Sequence, residues 1–188
     1  IGRSFNESIQ KALRSLEVGF EGFDIVRKTS SQKSLNKKNI LSELKKPVVD
    51  RVLLVAQALR LGKSIKEIYG ASKIDPWFIG QIFEIVKKEN EIKRKGLPKS
   101  ALEFQNIKSM GFSDKKLGEL SNKKVGNILS IRNKLKIFPD YKRIDTCAAE
   151  FKSLTPYMYS TYKKNTLSNQ SCESNPSKRK KVIILGSG

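Results

Sequence analysis

Residues 141–162 read YKRIDTCAAEFKSLTPYMYSTY and interrupt a lysine-rich chain whose other segments are mostly patterned as helices. The stretch concentrates aromatic and small side chains, and Pro156 prevents a single helix from running through it. It predicts an extended, well-packed connector in which each tyrosine buries its ring and keeps its hydroxyl on a polar partner. A binding surface is the alternative interpretation of the same aromatic side chains, Phe151, Tyr157, Tyr159 and Tyr162.

Upstream of this stretch, apolar residues recur at helical spacing between recognisable start and stop signals. Residues 4–7 and 64–67 have the form of capping boxes, in which a serine and a glutamate satisfy each other's backbone N–H groups. Asp75 followed by Pro76 predicts the cap and the first position of another helix. The pattern predicts a series of short amphipathic helices that end at glycines, among them Gly19, Gly62, Gly70 and Gly111.

The first predicted helix needs a packing partner, because its apolar residues are spaced to form one face: Phe5, Ile9, Ala12, Leu13 and Leu16. Trp77, the only tryptophan, stands at the start of a later helix. We interpret it as a core or interface anchor, in preference to a platform that stacks on a nucleic-acid base.

The C-terminal residues 180–188 read KKVIILGSG, a β-branched apolar run that leads into glycine-x-glycine. This pattern is typical of a buried parallel strand before a glycine-rich turn. Residues 163–181, rich in Ser, Asn and Lys, predict a surface loop or linker. The expected fold class is therefore mainly α, with a truncated parallel β-strand at the C-terminal end.

The composition excludes several kinds of site within these residues. The chain has no histidine, which rules out Cys-His zinc sites and Ser-His or Cys-His catalytic pairs. Cys147 lies among small residues and is expected to be buried, whereas Cys172 is expected to be exposed. Two lone thiols indicate a reducing cytoplasm. No run of about 18 apolar residues occurs, so no membrane association is expected.

The net charge of +20 raises a nucleic-acid partner as the alternative function. Short helices joined by tight turns can mimic helix-turn-helix elements, and a basic group near the end of the helical region would then contact phosphates: Lys123, Lys124, Arg132, Lys134 and Lys136. However, lysines are spread along nearly every segment. We therefore favour solvated helix faces and treat nucleic-acid binding by a free-standing basic helical module as the alternative.

Several runs together closely resemble the large chain of carbamoyl phosphate synthetase. They are residues 1–5 (IGRSF), 10–14 (QKALR), 74–78 (IDPWF), 111–114 (GFSD), 145–151 (DTCAAEF) and 157–162 (YMYSTY). The resemblance covers essentially the whole chain in unbroken order, and it is a resemblance to the middle of a much longer polypeptide. Lys163 and Lys164 depart from it, because family members usually carry acidic residues there.

The resemblance implies a division into three parts. Residues 1–22 would be the C-terminal helix of the carboxyphosphate-forming domain, and residues 23–171 the helical oligomerisation domain. Residues 172–188 would be the linker and first strand of the carbamoyl-phosphate-forming domain. The implied role is to join the two ATP-grasp halves of the large chain and to present a surface for homo-oligomer formation.

The resemblance also implies the chemistry of the whole enzyme, an ATP-dependent ligase. One half would phosphorylate bicarbonate, the product would react with ammonia, and the other half would phosphorylate the carbamate. A glutaminase small chain would release the ammonia, ATP with Mg or Mn would serve both halves, and the product would feed arginine and pyrimidine biosynthesis. Within residues 1–188 we expect no catalytic, cofactor-binding or metal-binding residues, and so no ligase activity of this chain alone.

Overall fold

The structure, a computed structural model, describes residues 1–25, 35–148, 150–151, 155–163 and 172–182. In these residues it contains eight helices and a two-stranded antiparallel sheet, which confirms the mainly α fold class. The elements are α1 Phe5–Ser15, α2 Ile40–Leu44, α3 Arg51–Arg60, α4 Ile65–Ser72, α5 Pro76–Lys95, α6 Ala101–Ser109, α7 Asp114–Ser121, α8 Val125–Lys134, β1 Asp140–Arg143 and β2 Met158–Thr161. The C-terminal strand predicted for residues 180–188 lies largely outside the described residues.

The helices share one hydrophobic core. Its largest fully buried side chains come from the segment after α1, from α6 and from the α6–α7 turn, and include Phe23, Phe104 and Phe112. Leu13 of α1 belongs to the same core. The first helix therefore packs onto the helical domain, as its amphipathic pattern requires.

Helix α1 begins as predicted, but its capping box is only half formed. The Ser4 hydroxyl accepts a hydrogen bond from the Glu7 N–H at 3.2 Å. The Glu7 carboxylate accepts from the Arg3 N–H at 2.8 Å, where the capping-box motif predicts the Ser4 N–H. The same carboxylate also forms a local ion pair with Lys11 and accepts a long-range hydrogen bond from the Thr161 hydroxyl.

The buried face of α1 differs from the prediction. Ala12 and Leu16 are exposed, whereas Asn6, Glu7 and Gln10 are buried beside Leu13. Gln10 is held there because its Nε2 donates to the Met110 carbonyl at 2.9 Å. Polar contacts thus replace part of the apolar face that the helical spacing indicated.

The two predicted glycine stops in the first half of the domain had different outcomes. Gly62 takes a φ of +79° after α3, and the N–H of Lys63 donates to the Ala58 carbonyl at 3.0 Å, which confirms a left-handed cap. The prediction for Gly70 was wrong, since α4 continues through it to Ser72. Lys73, with a φ of +58°, ends that helix instead.

In the described part of residues 140–162, the predicted connector contains two strands, β1 and β2. β1 and β2 run antiparallel, with Asp140 opposite Thr161 and Arg143 opposite Met158. The prediction that every tyrosine ring is buried was wrong, because Tyr157 is 69% exposed. Phe151, at 74% exposed, is likewise not packed within the described residues.

Candidate functional site

The connector is anchored to the helical domain at Tyr162, directly after β2. The Lys108 Nζ lies 4.8 Å from the centroid of the Tyr162 ring, and the Arg132 guanidinium lies 5.8 Å from it. On the backbone side, the Gln105 amide donates to the Tyr162 carbonyl. Side chains from α6 and α8 therefore hold this tyrosine through its ring and its main chain, with cations over the aromatic face.

An ion-pair network lies beside the ring of Tyr162. Lys108 Nζ donates to Asp114 Oδ1 at 2.7 Å and to the Phe112 carbonyl at 2.7 Å. Arg132 Nε donates to the other Asp114 oxygen, Oδ2, at 3.1 Å. Because Asp114 is the first residue of α7, its carboxylate joins α6, α7 and α8.

Burial sets the electrostatics of this network. Lys108 is 3% exposed, and its removal from water lowers the pKa of its ammonium group, while Asp114 acts in the opposite direction. Burial also raises the pKa of the Tyr162 hydroxyl, with the charge of Arg132 opposing the shift. Removal of Asp114 would be costly, because it would leave the charge of the buried Lys108 uncompensated.

The network also includes one of the five basic residues that were considered as phosphate contacts. Arg132, one of the expected phosphate contacts, is engaged with Asp114 and with the Ile137 carbonyl. The other four residues of that group are exposed: Lys123, Lys124, Lys134 and Lys136. The structure therefore brings one of the five into an internal ion pair and leaves four on solvated faces.

A second candidate site is an aromatic patch, formed by the exposed Trp77 and Phe78 and the partly buried Phe5. The ring centroids of Phe5 and Trp77 lie 5.5 Å apart, those of Phe5 and Phe78 5.3 Å apart, and those of Trp77 and Phe78 5.0 Å apart. Trp77 is 55% exposed and Phe78 43% exposed, so Trp77 is not a core residue. Exposed, clustered aromatic rings are typical of a protein–protein interface.

The described residues offer little for metal or membrane chemistry. Among them, no three acidic or cysteine side chains come together as a group able to hold a metal ion. No helix in the described ranges is long and apolar enough to cross a membrane. Cys172 is exposed as predicted, and Cys147 is partly exposed, so its predicted full burial was wrong. A hydrogen bond with the Ser174 hydroxyl lowers the pKa of the Cys172 thiol.

Comparison with protein families gives a match to the oligomerisation domain of the carbamoyl-phosphate synthetase large chain over residues 1–136. The chain belongs to this family. Residues 137–188, which include β1 and β2, lie beyond the matched range but within the alignments to individual relatives.

Similar proteins include carbamoyl phosphate synthase large chains from several bacteria. That of Brucella melitensis is 48% identical over 188 residues, that of Rhizobium meliloti 48% over 189, and that of Pseudomonas aeruginosa 46% over 193. Each alignment covers 100% of this chain but only 16% or 17% of the relative. The chain thus spans about one sixth of the length of the proteins it matches, and nothing in the comparisons supports the nucleic-acid alternative.

Sequence reasoning missed the residues that anchor the connector. Lys108 and Asp114 were not singled out, and Glu7 was noted only as a capping residue. A weak signal existed for Lys108, which falls four residues after Phe104 and so shares the buried face of α6. No local signal pairs it with Tyr162, which is 54 residues away in the sequence.

Proposed function

We propose that this chain is the central connecting and oligomerisation segment of a carbamoyl phosphate synthase large chain. The observation that carries the proposal is the similarity over 100% of this chain to only 16% of a much longer protein. The packing of α1 and of the connector onto one helical domain supports a joining role, because the polypeptide reaches and leaves the domain through these two elements.

The whole protein, on this proposal, makes carbamoyl phosphate from bicarbonate, ammonia and two molecules of ATP. Its two ATP-grasp halves carry the catalytic residues and hold ATP with Mg or Mn, and a glutaminase small chain supplies the ammonia. The product serves arginine and pyrimidine biosynthesis in the cytoplasm. The two free cysteines, Cys147 and Cys172, support that location.

The proposed division of the chain follows the same scheme. Residues 1–22 belong to the end of the carboxyphosphate-forming domain, residues 23–171 form the oligomerisation domain, and residues 172–188 lead into the carbamoyl-phosphate-forming domain. After β2 the chain returns to β1, where the Glu173 N–H donates to the Tyr141 carbonyl at 2.8 Å. This contact supports a linker that leaves the domain beside the sheet.

We assign association between copies of the enzyme to the aromatic patch. The rings of the patch are clustered, Trp77 and Phe78 are exposed, and the patch lies within residues 1–136, which match an oligomerisation domain. Trp77→Ala is expected to weaken self-association, because tryptophan is among the residues that contribute most to interface stability. Phe151→Ala is the control, since Phe151 is 74% exposed, more than Trp77, but lies outside the patch.

The activity test compares the full-length gene product with the 188-residue chain. The full-length protein is expected to form carbamoyl phosphate from bicarbonate, ammonium and ATP, and the 188-residue chain to show no ATP turnover above background. Light scattering after size-exclusion chromatography measures self-association of the wild type and both variants. ATP turnover by the 188-residue chain, or no product from the full-length protein, contradicts the proposed function. Equal association of all three proteins contradicts the role of the patch.

A further inference from the structure

Helix α1 and strand β2 meet at a buried polar contact whose members are more than 140 residues apart in the sequence. The Thr161 hydroxyl donates to Glu7 Oε2 at 3.0 Å, and both residues are 1% exposed. Lys11 Nζ forms an ion pair with Glu7 Oε1 at 3.0 Å and also donates to the Ser160 carbonyl. We refer to Glu7, Lys11, Ser160 and Thr161 as the clasp.

The carboxylate of Glu7 is well provided with donors. Its two oxygens accept from the Arg3 N–H, the Thr161 hydroxyl and the Lys11 ammonium. The Thr161 hydroxyl in turn accepts from the Lys163 N–H at 3.2 Å, so it is used as both donor and acceptor. A buried carboxylate with this set of partners is held in one position, since any shift would leave a desolvated charge without a hydrogen bond.

Both elements of the clasp, α1 and β2, also contact the other helices of the domain. Gly111, in the α6–α7 turn, lies so close to α1 that a Cβ built on it would fall 2.9 Å from the Glu7 Cα. On the other side, Tyr162 follows Thr161 directly and is fixed by Gln105, Lys108 and Arg132. Helix α1 and strand β2 are therefore both attached to the same group of helices.

We propose that the clasp sets the relative placement of the two catalytic halves of the large chain, and that its residues act as positioning residues for the coupled reaction. The inference rests on the proposed function, in which α1 ends the first half and the segment after β2 begins the second. The hydrogen bonds of the clasp join α1 to β2. A shift of one catalytic half at its attachment point therefore also moves the other catalytic half. When the clasp is broken, the reactions of the two halves are no longer coupled.

Loss of coupling has a measurable chemical signature. The first half converts bicarbonate and ATP into carboxyphosphate and ADP, and the product of its reaction with ammonia must reach the second half intact. When the halves are misplaced, carboxyphosphate or carbamate is lost to water, and ATP is consumed without yielding carbamoyl phosphate. Each half on its own is expected to keep its activity, because the contacts of the clasp in the described residues join α1 to β2.

The test uses the full-length large chain with ammonium as the nitrogen source. Thr161→Val removes the hydroxyl while keeping the shape of the side chain, and Thr161→Ser is the matched control that keeps the hydroxyl. Three rates are measured: bicarbonate-dependent ATP hydrolysis without ammonium, ATP formation from carbamoyl phosphate and ADP, and complete synthesis with its ratio of ATP consumed to product formed.

Thr161→Val is expected to leave the first two rates within about twofold and to raise the ATP-to-product ratio by about fivefold or more, which is the lower end of a typical coupling free energy. Thr161→Ser is expected to behave as the wild type. An unchanged ratio in Thr161→Val overturns the proposal, and so does a parallel fall of all three rates, which indicates a merely structural role. If the wild type forms no carbamoyl phosphate, it is the proposed function that fails.

Lys11→Met is a second variant of the clasp, which tests the proposal if Thr161→Val does not fold. The Lys11 side chain is 24% exposed, and its replacement leaves the hydrogen bond between Thr161 and Glu7 in place while it removes both the ion pair with Glu7 and the hydrogen bond to Ser160. A raised ATP-to-product ratio with intact partial rates supports the clasp, and a ratio equal to that of the wild type refutes it.

Discussion

Replacement of Gly111 by alanine tests how closely α1 packs on the α6–α7 turn. Gly111 has a φ of +97°, which costs a residue with a side chain about 1–2 kcal/mol. Its Cβ would also fall 2.9 Å from the Glu7 Cα and 3.2 Å from the Glu7 carbonyl oxygen, both of them backbone atoms. Since backbone cannot rotate away as a flexible side chain can, relieving the overlap adds about 1–3 kcal/mol.

The free energy of unfolding of Gly111→Ala should therefore fall by about 2–5 kcal/mol. Gly62→Ala is the matched control, because Gly62 has a φ of +79° but a Cβ there meets nothing within 4 Å. That variant should lose only about 1–2 kcal/mol. Urea unfolding followed by circular dichroism gives both values, and a loss of about 3 kcal/mol moves the midpoint by about 1.5 M at a typical slope. Equal losses in the two variants refute the close packing of α1.

The remaining predictions concern the surface. Hydrogen bonds from the Ser64 N–H, Lys63 and the Ser64 hydroxyl hold the pKa of Glu67 at about 2, below its ordinary 4.5, so its stabilising effect is full above pH 4.5 and is lost as the pH falls towards 2. NMR titration should find this low pKa in the wild type and a higher one in Ser64→Ala. Alkylation of Cys172 at neutral pH should be slower in Ser174→Ala, because the Ser174 hydroxyl lowers the pKa of that thiol; an unchanged rate would deny that contact a role. Acrylamide should quench Trp77 fluorescence more strongly in dilute than in concentrated samples of the chain, and equal quenching would argue against its burial between copies.

Local signals in the sequence were sufficient for most helix boundaries. The Asp75 side chain accepts from the Trp77 N–H at 2.8 Å, and Pro76 takes the first helical position, as predicted. The capping box of residues 64–67 is complete. Such signals succeed because both partners of each hydrogen bond lie within one turn of chain. Gly70 misled the prediction, since a glycine inside a helix costs only about 1 kcal/mol, an amount that tertiary packing can offset.

The family was also recognisable from the sequence, and the match over residues 1–136 confirms it. The resemblance depended on short runs such as residues 74–78, which keep their order along the whole chain. The resemblance identified the chain as the oligomerisation region of a large chain. It could not indicate which of the aromatic side chains in residues 141–162 pack and which stay exposed.

By itself, the sequence determined the helical class, most helix caps and the membership of the family. These depend on neighbouring residues, or on short runs of residues that match the family. Only the tertiary structure decided that Glu7 meets Thr161, that Lys108 and Asp114 lie beside Tyr162, and that Tyr157 faces solvent. The physical reason is that burial of a charge is tolerated only where distant parts of the chain supply its partners. Those partners are brought together by packing of the helices, and no spacing within a single helix encodes them.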